Sequence, residues 1–474
     1  MKSRIPLILV ALTAILLFAP MLQEHLGLFK LNPLAGVVEE KPKPDFTLKN
    51  WKNHAIQNYA QDHLKYHAGF REPLTRLYNQ YLWDFYHTSP LFRKGYLMLS
   101  DDNWLFENGN VEEYYVGNAS HYANDSLSMA QKLSEEAFRL YQIQHILEPY
   151  GVHLLVMLEP GKEMICPEHL PKNKTFKGEK KISAYDFYRN RFEQLGVNCF
   201  DVGDWFLQIK DTVDYPLYPQ TGTHWSNIAA MHVADSLIRY LEQLGQHRIR
   251  HFSIGEKTEK TVIPDDDLEQ LMNMIRPLRK APNYTAEATL EADSTAYRPK
   301  LITIGDSYYW NLLNNIPFHV IFRERPYWYY YSTVHYTGEH HNINEVNVLD
   351  EVLSSDFVML AYSTQQLYRM SNGFSQDLLI RLCCDENDIE AGKQAALRHI
   401  NSSPKWLEGI KQRAEIYRIP VDTVILKEAE NIFHTNPHNY LPALKDSIPS
   451  IRSTQAQQYG MNDGFTHESR QAAN

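Results

Sequence analysis

Cysteine, positive charge and internal repetition are all scarce in this chain. Four cysteines occur in 474 residues, Cys166, Cys199, Cys383 and Cys384. None lies in a CxxC spacing or a Cys/His cluster, so their pattern gives no sign of a metal site. Cys383 and Cys384 are neighbours, between which a bridge is strained and rare. Cys166 and Cys199 are left either to pair, if the chain is exported, or to stand as buried thiols. The net charge of -10 excludes a nucleic-acid binder, which needs clustered Lys and Arg to meet phosphates. No repeat or low-complexity stretch organises the chain, and nothing in it implies a cofactor. What remains is ordinary globular composition, 43% hydrophobic and 22% charged, with length enough for a large α/β domain plus additions. Tyrosine is abundant, at 30 residues. Tyr-rich clefts suit carbohydrates and other amphipathic ligands, although Tyr-rich surfaces also occur without a ligand.

One long apolar run stands out. Lys2 and Arg4 precede an uncharged stretch from Ile5 to Leu22. Basic residues ahead of such a run keep the amino terminus in the cytoplasm, and its length is near the lower limit for a membrane-spanning helix. A cleaved signal peptide shares this layout but ends in a small-x-small site. Phe18-Ala19-Pro20 offers none, so residues 1–30 are expected to be an uncleaved signal anchor that exports everything after it.

Residues 31–45 hold Pro33, Pro42 and Pro44 among charges and read as an extended linker. From Asn50 to Tyr86 apolar and aromatic residues recur at helical spacing, so 31–124 is expected to be a linker and helical lead-in. Within it, Trp104–Gly109 reads as a strand entering a turn. Residues 125–385 then alternate. Helices are expected over Ser126–Tyr150, Ser183–Leu195 and Ser226–Leu244, and strands over Val152–Leu158, Asn198–Val202, Leu301–Ile304 and Phe357–Tyr362. This predicts an α/β fold with a mainly parallel sheet flanked by helices. Residues 250–298, charged and less periodic, read as an excursion. Residues 386–474 read as a small carboxy-terminal helical appendage, with helices at Ile389–Ile400, Lys405–Tyr417 and Val421–Phe433. Its tail, from about Ser450, is expected to be disordered.

Chemistry enters with two motifs, Thr221-Gly222-Thr223-His224-Trp225 and Ile304-Gly305-Asp306-Ser307-Tyr308. The second places Ser307 at the carboxyl end of a buried strand, where open α/β sheets put their crevices. Gly305 lets the backbone turn and Asp306 holds that turn, while the Ser307 N–H is placed to meet an oxyanion. Ser307 is the candidate nucleophile. His224 is the candidate base, since imidazole accepts and returns a proton near neutral pH. Trp225 and Tyr308 flank the pair and, with Trp310, are candidates for substrate contact. Tyr327-Trp328-Tyr329-Tyr330-Tyr331 could stack on sugar rings or serve as core and sheet-edge aromatics.

With these pieces the chain resembles the SGNH-hydrolase-like, alginate O-acetyltransferase-related family, also called DHHW proteins. The matching segments, in the family's order, are Asp62-His63 with Gly69-Phe70-Arg71, then Trp104-Leu105-Phe106. Leu158-Glu159-Pro160-Gly161-Lys162 and Pro167-Glu168-His169-Leu170-Pro171 follow, and the His-Trp and Gly-Asp-Ser motifs complete the set. The resemblance implies an SGNH-type fold and a Ser-His-Asp triad that moves acetyl groups onto an extracellular polysaccharide. It implies a polysaccharide acceptor and a membrane-bound O-acyltransferase as donor partner. The setting it implies is a single-pass protein of the bacterial inner membrane with its globular part in the periplasm. His224 and Ser307 carry over directly. The aspartate of the family's Asp-x-His-Trp motif does not, because Gly222 stands in its place. Asp214 is the first substitute expected and Glu159 the second. A carbohydrate esterase or deacetylase using the same Ser-His pair, and a non-catalytic scaffold favoured by Gly222, are the alternatives.

Overall fold

Continuous apolar runs rich in β-branched residues cannot face water, and here they form the middle of one sheet. The computed structural model describes residues 5–36, 42–116, 129–171 and 182–445, apart from single positions 280, 294, 337, 418 and 436. The tail from Ser450 lies outside the described residues. In chain order, β1 (Leu97–Leu99) and β2 (Leu105–Glu107) make an antiparallel hairpin. The main sheet comprises β3 (His153–Glu159), β4 (Cys199–Asp201), β5 (Leu301–Gly305), β6 (Tyr327–Tyr329), β7 (Thr333–Tyr336), β8 (Glu339–Asn342) and β9 (Phe357–Ser363). Its seven strands run in the order β8-β7-β6-β5-β9-β3-β4. The five from β6 to β4 are parallel, while β7 and β8 are added antiparallel. The sheet is therefore mixed, with the expected parallel body and an antiparallel edge that begins in the Tyr327–Tyr331 run.

Every residue of β5 and β9 is buried, because helices cover both faces. On one face lie Met129–Leu147, Ala184–Leu195 and Phe374–Cys383; on the other lie Asn227–Gly245 and Tyr309–Asn315. The helices Glu386–Asn401, Pro404–Tyr417 and Val421–Thr435 pack into the first of these cores through Ala396, Ile400, Ile410 and Phe433. The expected appendage thus shares the main core. The register brings Ser363 beside Glu159 and Ala361 beside Gly305, so the carboxyl ends of β3, β9 and β5 lie level, at the edge where Ser307 emerges.

The amino-terminal region does more than lead in. After β2 the chain enters a helix, Asn108–Val116, where a turn was expected. The predicted helical stretch before it divides mainly into Ala55–His67 and Arg71–Tyr86. Gly69 joins these two helices and lies against the Ile5–Leu26 helix: a Cβ there would meet the Pro20 carbonyl oxygen at 2.1 Å. The inner face of Arg71–Tyr86 grips the 250–298 excursion. Asn79 Nδ2 donates to the Met272 carbonyl (2.8 Å), and Gln80 Oε1 accepts from the Ile275 and Arg276 amides (3.1 and 2.9 Å). Asn273 exchanges two hydrogen bonds with the backbone of Ala35 (2.8 and 3.0 Å). Among the described residues no helix is long and apolar enough to cross a membrane, so the fold does not itself show the anchor expected at Ile5–Leu22.

Candidate active site

The position of Ser307, the candidate nucleophile, follows from β5. Gly305 ends the strand with no room for a side chain, since a Cβ there would lie 2.3 Å from the Ala361 carbonyl oxygen of β9. Asp306 then turns the chain. One of its oxygens accepts from the Tyr308 amide (3.0 Å), and the other from the Ser363 amide and hydroxyl (2.8 and 2.5 Å). The turn is thereby tied to the end of β9, and Ser307 is set at the sheet's carboxyl edge.

The base sits on a loop held from several sides. Ser226 caps the Asn227–Gly245 helix by accepting from the Ala229 amide (3.2 Å), which fixes the loop's exit. Tyr308 Oη donates to the Thr223 carbonyl (2.7 Å), and Asn311 Nδ2 to that of Trp225 (2.9 Å). The nucleophile's own helix therefore grips the histidine loop. Lys162, from the family-like Pro160-Gly161-Lys162 segment, is fully buried and donates to the carbonyls of Leu105, Gln220 and Gly222 (2.8, 2.9 and 2.9 Å). Burial pushes its ammonium down to about 7.

A carboxylate that meets His224 comes from the excursion. Asp267 Oδ2 lies 2.6 Å from His224 Nδ1, and His224 Nε2 lies 3.0 Å from Ser307 Oγ. The other Asp267 oxygen accepts from the amides of Thr223 and Leu268 (2.9 and 2.7 Å), so the carboxylate is fixed in position. With Nδ1–H donating to Asp267, Nε2 is left to accept the serine proton. Burial pushes the His224 imidazole down, but the Asp267 carboxylate, with Glu107 and Asp306 behind it, outweighs that and holds the pKa above the usual 6.5. Glu107 stands next to the triad and accepts from Thr223 Oγ1 (3.0 Å) and Asn110 Nδ2 (3.1 Å).

Other residues predicted for the site lie apart from this chain of contacts. Asp214 is exposed and pairs with Lys257 at 2.6 Å, so it is not the partner of His224. Glu159 is fully buried, and among the described residues neither of its oxygens is hydrogen-bonded. Burial and the neighbouring Asp306 carboxylate push its pKa well above the usual carboxylate range, so it lies behind the nucleophile's turn and does not meet the histidine. Trp225 and Tyr308 are 0% and 1% exposed, leaving no ring face for a ligand; they pack against the loop and the imidazole. Trp310 is half-buried, edge-on to Tyr327 and His335. All four cysteines are free thiols. Asp267 was missed because it lies 43 residues beyond His224, in the least periodic part of the chain. Its one signal is the acidic run Asp265-Asp266-Asp267.

Gly222 leaves no room for a carboxylate side chain at its own position. A Cβ there would lie 2.8 Å from the Asp265 carbonyl oxygen and 2.8 Å from Pro219 Cγ. The excursion packs directly on this glycine: the Glu269 amide donates to the Thr221 carbonyl (3.1 Å) and the Asn227 amide to Asp265 Oδ1 (2.8 Å). Gly222→Asp is therefore expected to lower both the thermal midpoint and any turnover of p-nitrophenyl acetate that depends on His224. A variant faster than the parent would overturn this account.

Comparison with known proteins gives a family match over part of the chain. Residues 97–308 match the family described as "SGNH hydrolase-like domain, acetyltransferase AlgX". That stretch contains His224, Asp267 and Ser307. Among solved structures, the O-acetyltransferase domain of AlgJ from Pseudomonas putida is similar at 17% identity, over 57% of this chain and 92% of that one, with a TM-score of 0.37. AlgX from Pseudomonas aeruginosa is similar at 14% identity, over 61% and 68%, with a TM-score of 0.35. A DHHW family protein from Eubacterium siraeum is similar at 14% identity, over 59% and 94%, with a TM-score of 0.34. Comparison with curated proteins gives no match.

Proposed function

We propose that this protein is a serine O-acetyltransferase that acts on an extracellular or cell-envelope polysaccharide through an acyl-serine intermediate. The observation that carries the reading is the continuous chain Asp267–His224–Ser307, at 2.6 and 3.0 Å. His224 Nε2 takes the Ser307 proton as Oγ attacks the donor's acetyl carbonyl, and Asp267 stabilises the imidazolium that forms. Among the described residues no acceptor takes the Ser307 N–H, which leaves it to meet the developing oxyanion. Collapse of the intermediate releases the donor's leaving group with the proton from His224. The base then deprotonates a sugar hydroxyl, which attacks acetyl-Ser307 and restores the free serine. The similarity of residues 97–308 to the acetyltransferase AlgX supports an acceptor other than water. The acid at Asp267 removes the reason Gly222 gave for a scaffold without chemistry.

In this reading the apolar Ile5–Leu22 run anchors an exported chain in the bacterial inner membrane. The globular part then lies in the periplasm, within reach of a membrane-bound O-acyltransferase that supplies acetyl. The test supplies the full chain with p-nitrophenyl acetate and an unacetylated oligosaccharide. Acetyl on the sugar above the level given by Ser307→Ala is expected. Acetate release with no sugar product would make the protein an esterase.

A further inference from the structure

The Arg71–Tyr86 helix has one face committed to the body, through Arg76, Asn79 and Gln80. Its opposite face carries Leu74, Leu77, Tyr78, Tyr81 and Phe85, all exposed. Their spacing is that of a single apolar stripe, and the Tyr81 and Phe85 rings lie 5.0 Å apart. Tyr86 adjoins it, its ring 5.9 Å from that of Tyr81, and Phe46, Trp51 and Tyr96 are also exposed nearby in sequence. A water-facing helix gains nothing from such a stripe, and contiguous exposed apolar surface marks an interaction site.

Two observations identify the occupant. The first is continuity with the amino-terminal apolar helix. Gly69, at the start of the stripe-bearing helix, packs on Pro20 to Glu24. His63 Nε2 meets Glu24 at 2.8 Å, and the Phe70 ring lies 5.9 Å from Phe29. These contacts fall where the apolar run ends, at the level of a bilayer's headgroups if that run spans it. Val10, Ile15, Phe18, Met21 and Leu22 of the same helix are exposed as well. The second is charge. Between Pro42 and Tyr96 there are eight Lys and Arg against four Asp and Glu, in a chain whose net charge is -10. Basic residues interleaved with Trp and Tyr suit the surface of an anionic bilayer.

We infer that the outer face of the Arg71–Tyr86 helix lies in the interface of an anionic membrane, beside the anchor. The globular domain is thus seated on the bilayer and not suspended from it by a free linker. This rests on the anchored reading above.

The test is hydroxyl-radical footprinting of the full chain in phosphatidylethanolamine–phosphatidylglycerol vesicles. Tyr81 and Phe85 (46% and 71% exposed) are compared with Tyr150 and Tyr417 (63% and 70%) in the same sample. Oxidation at least about fivefold slower at Tyr81 and Phe85, and unchanged on further dilution with lipid, is expected. Equal rates in a chain that floats with the vesicles would overturn the seating and leave the anchor intact. Protection lost on dilution would assign the stripe to a second protein copy. A chain that does not float would overturn anchor and seating together.

Discussion

Asp267→Asn is expected to lower turnover by about 10,000-fold with little change in fold, as loss of the triad acid does elsewhere. The carboxylate has two functions that asparagine cannot perform. It holds the His224 Nδ1–H, at 2.6 Å, and so keeps Nε2 open to Ser307. It also carries the negative charge that offsets the imidazolium. The pH profile provides a second readout. The His224 pKa is raised, so the ring stays charged to a higher pH than a free histidine. Only the neutral ring accepts a proton, so the rate of the parent should climb through a midpoint above 6.5. Without Asp267, burial dominates and the midpoint should move down. Asp214→Ala, which removes an exposed partner of Lys257, should leave the rate within about twofold, as surface changes commonly do. A loss below tenfold in Asp267→Asn, or a larger loss in Asp214→Ala, would return the acid's role to another residue.

Ser307→Ala should reduce p-nitrophenyl acetate turnover by about a millionfold, the scale seen when a triad nucleophile is removed. Intact mass should show an acetyl adduct on the parent and none on the variant. Among the described residues the hydroxyl makes one hydrogen bond, the 3.0 Å approach to His224. The turn that carries it is held by Asp306, not by Ser307. Thermal stability should therefore barely change, and a lost rate would report chemistry. An adduct that persists in Ser307→Ala would place the acyl group on a different nucleophile.

The core of the fold was legible because its signals are local. Runs such as Leu301–Ile304 and Phe357–Tyr362 could only be buried strands, and Ser226 marked the start of its helix. His224 and Ser307 were legible because each sits at the junction of a strand or helix with a short motif. The antiparallel strands β7 and β8 were not: β7 is only four residues long with a single buried position, and β8, made of Glu, His and Asn, is exposed throughout and carries no alternation to read. Nor was the acid. A carboxylate needs only to reach Nδ1, and backbone contacts across the Gly222 surface deliver Asp267 from a segment with no periodicity of its own. The aromatic flank was misjudged for a related reason. Trp225 and Tyr308 have the composition of a ligand platform, and their burial depends on how two distant loops close on each other.

The paired hydrogen bonds between Ala35 and Asn273 reach from the first residues past the apolar run to a point six residues beyond Asp267. A shortened protein that begins at residue 45 would be a natural choice for work in solution, and it would lack them. Asn79 and Gln80 would then hold the acid's segment with one strap fewer, and the measured rate would understate that of the whole chain. Where the polypeptide is cut would thus set the rate that an assay records. Beginning at about residue 30 would spare that strap while still shedding the greasy leader.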